Sequence, residues 1–231
     1  MKLALAIGFT LLILEFESVF GQTIYPRVGV TFSTMTYDPP IADVLPSASF
    51  TVGLGGEIHL GSLLDLYIEC DYVSRNFRYQ FESSGGTYTL HYEAKIRQKY
   101  VDVPVMARKY FGPDRRFYVN CGGYVGFGMG GMNKGESWSS NPTSPKNNWV
   151  EFSGWIKYAP DPVWDHENDL YYTNKVDLGI VVGGGVMIAK MIMLDFRYGM
   201  GLIDIDEDYD SYKNRVFQVA ISVPLKLSPL E

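Results

Sequence analysis

The sequence predicts an all-β protein, an eight-stranded antiparallel up-and-down transmembrane β-barrel with long outer loops and short periplasmic turns. Apolar and polar residues alternate with a period of two in eight stretches, as they do in strands with one apolar and one polar face. Several stretches exceed about ten residues, the length that a tilted strand needs to cross a bilayer. The connections alternate strictly between long and short, which is typical of outer-membrane barrels.

The clearest of these patterns runs from Arg97 to Gly131 and predicts two strands joined by one tight turn. Valines from Val101 onward alternate with Asp102 and other polar residues, and a second alternating run begins at Phe117. The segment 112–114 reads Gly-Pro-Asp, and this composition favours a turn. A long hairpin of a soluble β-sandwich is the alternative for these two strands alone.

The remaining predicted elements follow from the same alternation. Long connections are predicted where prolines, glycines or polar residues interrupt it. The strands are predicted at 27–36, 49–60, 65–78, two within 97–131, 176–188, 193–202 and 215–227, with long connections at 37–46, 79–95, 132–174 and 203–213.

The first residues indicate export. Lys2 precedes an apolar run, Leu3–Leu14, that is too short to span a membrane, and Gly21 ends a plausible cleavage site. We therefore expect a signal peptide at 1–21 and one barrel domain at 22–231. Beyond that run no apolar stretch is long enough for a membrane helix, which excludes a helical membrane protein.

The charge and composition of the chain limit the classes of binding partner that are expected. The net charge of −6 argues against nucleic acid as a partner. Outer-membrane lipid and other envelope or secretion proteins are the expected partners, and no cofactor is expected. Aromatic residues make up 15% of the chain, which suits the girdles at the two edges of a membrane barrel.

The polar face of the strands is charged, and it is expected to face the lumen because a charge facing lipid would cost ~2–4 kcal/mol at the midplane. An eight-stranded barrel has a lumen that side chains just fill, so we expect a packed polar core without an open pore. The charged residues of this parity are Glu57, Glu69, Asp71, Asp102, Arg108, Asp177, Asp195 and Arg197, of which Glu69, Asp102, Arg108, Asp195 and Arg197 are expected to form one network.

A second candidate site is the longest predicted loop, 132–174, because it contains all four tryptophans of the chain. Exposed aromatics at this density indicate a contact surface. The alternative is that residues 149–158 form a hairpin that packs on itself above the membrane. The tryptophans are Trp138, Trp149, Trp155 and Trp164.

Other candidate sites are weaker. Cys70 and Cys121 are expected to face lipid on strands separated by a third, roughly 9–10 Å apart and beyond the reach of a disulfide. The acidic run at 204–210 lacks the glycine and the distal glutamate of a calcium loop, so a solvated loop is favoured. The three histidines (His59, His91 and His166) show no spacing that predicts a catalytic site.

Two segments resemble PorT-like outer-membrane β-barrel proteins. V-D-V-P-V-M-A-R-K-Y-F-G followed by F-Y-V-N-C-G-G-Y-V-G is similar to the family's fourth and fifth strands, and L-D-F-R-Y-G-M-G-L with K-N-R-V-F-Q-V-A-I is similar to its last hairpin. The resemblance implies an eight-stranded barrel in the outer membrane. A named member of the family is an accessory of type IX protein secretion, which makes that role one option.

Three functional hypotheses result. The first is a non-enzymatic barrel that acts as a structural or partner-binding membrane protein through its outer loops. The second is an accessory component of a secretion or assembly machine. The third is an enzyme at the barrel rim that acts on lipid or peptide.

Overall fold

The computed structural model describes residues 23–38, 43–61, 63–141, 144–158, 169–172, 174–189, 191–205 and 211–226. Within these ranges the chain is almost entirely β-strand, with one short 3-10 turn, Pro113–Arg115. No helix in the described ranges is long and apolar enough to cross a membrane. The strands are β1 (Thr23–Asp38), β2 (Asp43–His59), β3 (Asp65–Gly85), β4 (Tyr88–Phe111), β5 (Phe117–Asn141), β6 (Ser144–Tyr158), β7 (Leu170–Tyr172), β8 (Val176–Ala189), β9 (Ile192–Gly201), β10 (Ser211–Ser222) and β11 (Leu225–Lys226).

Eight of these strands form a closed antiparallel barrel. Their order around the barrel is β4-β3-β2-β1-β10-β9-β8-β5, and the pairing of β5 with β4 closes the ring. The first and last barrel strands pair directly, with Val28 opposite Ile221. Closure leaves no barrel strand with an unpaired edge in the wall, which a sheet within a membrane requires. The predicted fold class is confirmed.

An apolar band surrounds the barrel at the height of the bilayer. On β4 the outward residues between Lys109 and Lys99 are Ala107, Val105, Val103 and Val101, with no charge among them. Ten residues of a strand tilted by about 40° rise by roughly 25 Å, which is the height of the apolar band of outer-membrane barrels. Lys99 therefore marks one edge of the band and Lys109 the other.

The two cysteines lie on the outer surface of this wall. Cys70 is on β3 and Cys121 is on β5, and β4 lies between these two strands. Both thiols are free and exposed on the barrel exterior, as predicted.

The strands extend well beyond the predicted ends on one side of the barrel, so all four predicted long loops are partly wrong. The last of them, 203–213, ends within β10, where Lys213 pairs with Thr36 of β1. In the first, 37–46, β1 continues to Asp38 and β2 begins at Asp43. Here Pro46 pairs with Phe77 of β3, while the pairing of β2 with β1 ends at Ser47. This part of β2 has a neighbour on one side only, and prolines within sheets are confined to such edge positions.

The second predicted loop, 79–95, is mostly the upper part of a long hairpin. β3 continues to Gly85 and β4 starts at Tyr88, so only a tight turn remains, with Gly86 at a φ of 63°. Tyr79 and Tyr92 hold the two strands together on the inner face, where their rings meet edge to face at 6.0 Å.

The third predicted loop, 132–174, also contains strands. β5 runs on to Asn141, β6 pairs back along it, and β7 adds three residues parallel to β6. Residues 149–158, for which a hairpin packed on itself was considered, instead belong to the single strand β6, and their partner is β5. Residues 159–168 lie outside the described ranges, as do the expected signal peptide and positions 206–210 of the acidic run.

These prolonged strands form a surface that we call the extended sheet: residues 76–85 of β3, 88–98 of β4, 131–141 of β5, and β6. Its inner face is apolar and covers the end of the lumen, while its outer face is charged. On β3 and β4 the same parity faces inward in the barrel below, but there the inward residues are charged. On β5 the inward parity changes at the bulge opposite Lys99 and Tyr100. The inner apolar cluster consists of Met35, Phe77, Ile96, Ile156, Tyr172 and Ile205.

The short turns lie at the opposite end of the barrel. The β4–β5 turn has Gly112, Asp114 and Arg115 at positive φ, which confirms the predicted turn. Phe111 and Phe117 stack across it at 5.9 Å. The chain also enters β1 and leaves β11 at this end, since Thr23 pairs with Lys226.

Candidate functional site

The lumen is filled by charged and aromatic side chains, and glycines on the neighbouring strands make room for them. A Cβ added at Gly53 would lie 1.9 Å from a carboxylate oxygen of Asp71, and one at Gly185 would lie 2.3 Å from the hydroxyl of Tyr118. All eight charged residues that parity assigned to the lumen are at most 7% exposed. The high glycine content of the chain therefore serves side-chain packing inside the barrel.

The central cluster contains Arg27, Glu69, Asp71, Asp195 and Arg197. Arg27 donates to Glu69 at 2.5 Å and to Asp71 at 2.7 Å. Arg197 donates to both oxygens of Glu69, one of them at 2.8 Å, and its Nε contacts Asp195. Two arginines from β1 and β9 thus meet two carboxylates of β3 and join opposite walls of the barrel.

The upper cluster lies closer to the extended sheet and is organised by Arg75. The guanidinium group donates to Asp177 at 2.5 Å and to both oxygens of Asp102 at 2.7 Å. Its carbon lies 4.0 Å from the centre of the Tyr100 ring, and Tyr124 donates to Asp177 at 3.0 Å. Arg75 is 1% exposed, so this ion-pair cluster is fully enclosed.

The lower cluster lies near the short turns. Arg108 is held between aromatic rings, 3.4 Å from the centre of Tyr67 and 4.3 Å from that of Tyr118. It pairs with Glu57 at 3.3 Å, and Tyr110 donates to the same carboxylate at 2.6 Å. The end of the lumen nearest the short turns is therefore closed by an arginine stacked among tyrosines.

His59 lies at the edge of this cluster in an arrangement that has metal-ligand character. Its Nδ1 is 2.7 Å from Asp65 and 3.8 Å from Glu57, and the three ligand atoms lie within 4.8 Å of one another. Arg115, however, contacts both carboxylates. Because a guanidinium group already neutralises these oxygens, the arrangement is an ion-pair cluster rather than a cation site.

The residues expected to form one network are divided among the three clusters. Glu69, Asp195 and Arg197 meet in the central cluster, whereas Asp102 belongs to the upper cluster and Arg108 to the lower one. The two residues that sequence reasoning missed are the arginines that organise the central and upper clusters, Arg27 and Arg75. Both have the inward parity of their strands, so the alternation itself carried the signal.

A small cavity lies between the central and upper clusters. Its volume is about 30 Å³, and Asp71, Asp102 and Arg197 line it. A space of this size holds a single water molecule. The side chains that line it occupy the lumen at this height, which is the arrangement expected of a closed eight-stranded barrel.

Of the four tryptophans predicted to form a contact surface, two come together on the extended sheet. Lys146 lies 4.7 Å from the ring centre of Trp138 and 5.0 Å from that of Trp149. The indole N–H of Trp149 donates to Glu136 and, as the main cause, lowers the pKa of this carboxyl group. Trp155 is 59% exposed and lies opposite Met132, on the rungs nearer the membrane. Trp164 lies outside the described residues.

His91 forms a hydrogen-bond relay on the outer face of the same sheet. Its Nδ1 is 2.9 Å from Glu82, its Nε2 is 2.9 Å from the hydroxyl of Ser140, and its ring stacks on Trp138 at 5.1 Å. Glu82 and His91 are direct partners on β3 and β4. A serine, histidine and carboxylate in this order have the connectivity of a nucleophilic triad.

One family model and several solved structures are similar to this chain. The family model described as outer membrane protein beta-barrel domain matches residues 20–207. No curated protein matches the sequence. Similar solved structures are the attachment invasion locus protein Ail of Yersinia pestis (10% identity, TM-score 0.40, 89% of this chain and 99% of that one) and Neisserial surface protein A (10%, 0.42, 87% and 96%). The outer membrane protein OprG of Pseudomonas aeruginosa is a third (10%, 0.36, 90% and 98%).

Proposed function

This chain belongs to the outer membrane protein beta-barrel domain family and resides in the outer membrane, and we propose that it is a non-enzymatic barrel that binds a protein partner through its extended sheet. The end of the barrel with the long strands is then the extracellular end, and the end with the short turns faces the periplasm. The packed lumen supports a binding role over a transport role, because the three charge clusters fill the space a solute would need.

The observation that carries this proposal is the edge of β6. On one side β6 pairs with β5, and on the other β7 pairs only with Ile156–Tyr158. In the ranges that the structure describes, no strand pairs with that second side between Ser144 and Gly154. An open strand edge presents backbone N–H and C=O groups with which a partner can add a strand.

Exposed side chains beside this edge supply apolar contact area. Trp149 is 48% exposed and Val150 is 55% exposed, and they are consecutive residues on β6. Aromatic residues dominate the binding energy of many protein interfaces. A partner strand would therefore gain specificity from these side chains and affinity from the backbone.

Site-specific photo-crosslinking in intact cells tests the proposal. A photoreactive phenylalanine at Val150 should give one discrete protein adduct, and the same probe at Val105, on the apolar band, should not. Replacing Trp149 by Ser should weaken the adduct without changing the heat-modifiable gel mobility that reports the folded barrel. No protein adduct at Val150 and neighbouring β6 positions would refute partner binding at this edge.

The identity of the crosslinked protein distinguishes an accessory of a secretion machine from a free-standing binding barrel. Resemblance to the PorT-like family favours an accessory role in a secretion or assembly machine of the type IX kind. In that case the adduct is another envelope component of the machine, recovered in stoichiometric amount. A surface-exposed or host-derived protein as the adduct would instead favour a free-standing binding barrel.

The His91 relay is the specific observation that favours the third hypothesis, a rim enzyme. If Ser140 is a nucleophile, a fluorophosphonate probe should label the purified barrel, and Ser140→Ala and His91→Gln should each abolish labelling. On our proposal the relay only ties β3, β4 and β5 together, and no labelling occurs. Labelling that requires both residues would establish the enzymatic alternative.

A further inference from the structure

The outer face of the extended sheet carries charges in rows of one sign, independently of the β6 edge. Arg78 lies directly opposite Lys95 on the neighbouring strand, and Lys95 lies directly opposite Lys134 on the next. Arg97 is two residues from Lys95 on the same face of β4. We call Arg78, Lys95, Arg97 and Lys134 the cationic patch.

The arrangement of the cationic patch is unfavourable unless an anion compensates it. Like charges directly opposite each other on adjacent strands are destabilising, since their Cβ atoms are about 5 Å apart. In the described part of the chain, no carboxylate lies within ion-pair distance of any of the four side chains, although carboxylates are abundant nearby. Four cations on one surface without a partner indicate a site for a ligand that carries negative charge.

A second row, of carboxylates, lies one step farther from the membrane. Glu93 is opposite Glu136, and Glu136 is opposite Glu151. Together the two rows line a groove of about 700 Å³ on the outer face of the sheet. The carboxylates would repel a long soluble polyanion that lay across the whole face. An anion that approaches from the membrane side meets only the cations.

The height of the cationic patch matches the head groups of the outer leaflet. The apolar band on β4 ends at Lys99, and Arg97 and Lys95 follow as the next two outward residues. Met132 and Trp155, at 41% and 59% exposure, share the rung of Arg97 and offer apolar contact at this boundary. Tryptophan is enriched where acyl chains give way to head groups.

We propose that the cationic patch binds the phosphate groups of a phosphorylated lipid of the outer leaflet. Arginine guanidinium groups bind phosphate through two parallel hydrogen bonds, and lysines add point charges beside them. The acyl chains of the lipid lie along the apolar band below Arg97, against Met132 and Trp155. The bound lipid neutralises the row of like charges and so fixes the base of the extended sheet to the membrane surface.

Native mass spectrometry of the full-length barrel in zwitterionic detergent tests this assignment, with bis-phosphorylated lipid A as the probe. The wild-type protein should retain one lipid, and Lys95→Gln with Lys134→Gln should bind it at least ten-fold more weakly. Glu93→Gln with Glu151→Gln, on the adjacent row, is the matched control and should bind it no more weakly. Heat-modifiable mobility verifies that every variant is folded.

Two further measurements distinguish binding of the phosphorylated lipid from binding of a free anion. The same lipid without its phosphates should bind at least ten-fold more weakly, and inorganic phosphate at millimolar concentration should not displace the intact lipid. Arg97→Gln alone should reduce binding and its dependence on salt, which keeps the test valid if the double variant does not fold. Equal binding of the dephosphorylated lipid, unchanged binding by the variants, or full displacement by phosphate would overturn the proposal.

Discussion

Removal of Arg197 should destabilise the barrel more than any loss of a surface charge. Arg197 is 3% exposed, bonds both oxygens of Glu69 and contacts Asp195. Breaking a buried ion pair by removing one partner costs about 3–5 kcal/mol, because the other charge stays buried. Arg27 remains 2.5 Å from Glu69 in the variant, so we expect a value near the lower end, about 3 kcal/mol.

Lys213→Ala is the matched control for Arg197→Ala. Lys213 is one-third exposed, and its amine is 3.9 Å from Asp204. Such a pair contributes about 0–1 kcal/mol. The comparison is made by urea-induced unfolding in detergent micelles, followed by tryptophan fluorescence, with the unfolding midpoint as the measured quantity. Equal midpoints for the two variants would show that Arg197 is not a buried ion-pair partner.

A double-mutant cycle with Glu69 sharpens this test. Glu69→Gln and Arg197→Gln each leave a buried charge that has lost one of its partners, whereas the double variant removes both charges. The double variant should therefore cost less than the sum of the single variants, with a coupling of about 0.5–3 kcal/mol. Additive effects would contradict direct contact between the two side chains.

Two further predictions concern the loop surface and the lumen. In a variant whose other tryptophans are phenylalanine, the fluorescence of Trp149 should change with pH, with a midpoint below the usual Glu pKa of 4.5, because the hydrogen bond from Trp149 is lost only when the pH falls through the lowered pKa of Glu136. A midpoint at or above 4.5 would contradict this hydrogen bond. Glu136→Gln should abolish the titration. Gly53→Ala should lower the free energy of unfolding by about 1–3 kcal/mol, because the added Cβ overpacks against Asp71. Gly85→Ala, with open space around its Cβ, should not lower it. Equal effects would refute the packing role of Gly53.

The barrel could be predicted from the sequence because lipid and lumen impose a strict period of two on every strand. Outward residues such as Val103 must be apolar, and inward residues such as Asp102 can be charged only because they are enclosed. Parity therefore identified the inner face. Parity does not give the height of a residue in the lumen, so it could not show that Asp102 meets Arg75 rather than Arg197.

The extended sheet was missed because the polarity of its two faces is inverted. Above the membrane, the inward residues Phe77 and Ile96 are apolar, since they cover the lumen, and the outward residues Arg78 and Lys95 are charged, since they face water and head groups. The alternation of the barrel thus continues with the opposite sign. A prediction that requires charged residues on the inner face therefore ends the strand too early, although the period of two persists on β3 and β4.

The central claim, a barrel closed by its own side chains, is tested most directly by planar-bilayer recording of the purified protein. A porin in the same preparation serves as the positive control for insertion. The packed charge clusters predict no stable conductance across the range of applied voltage. Reproducible, long-lived openings of the pure wild-type protein would contradict a lumen filled by Arg27, Arg75, Arg108 and their carboxylate partners.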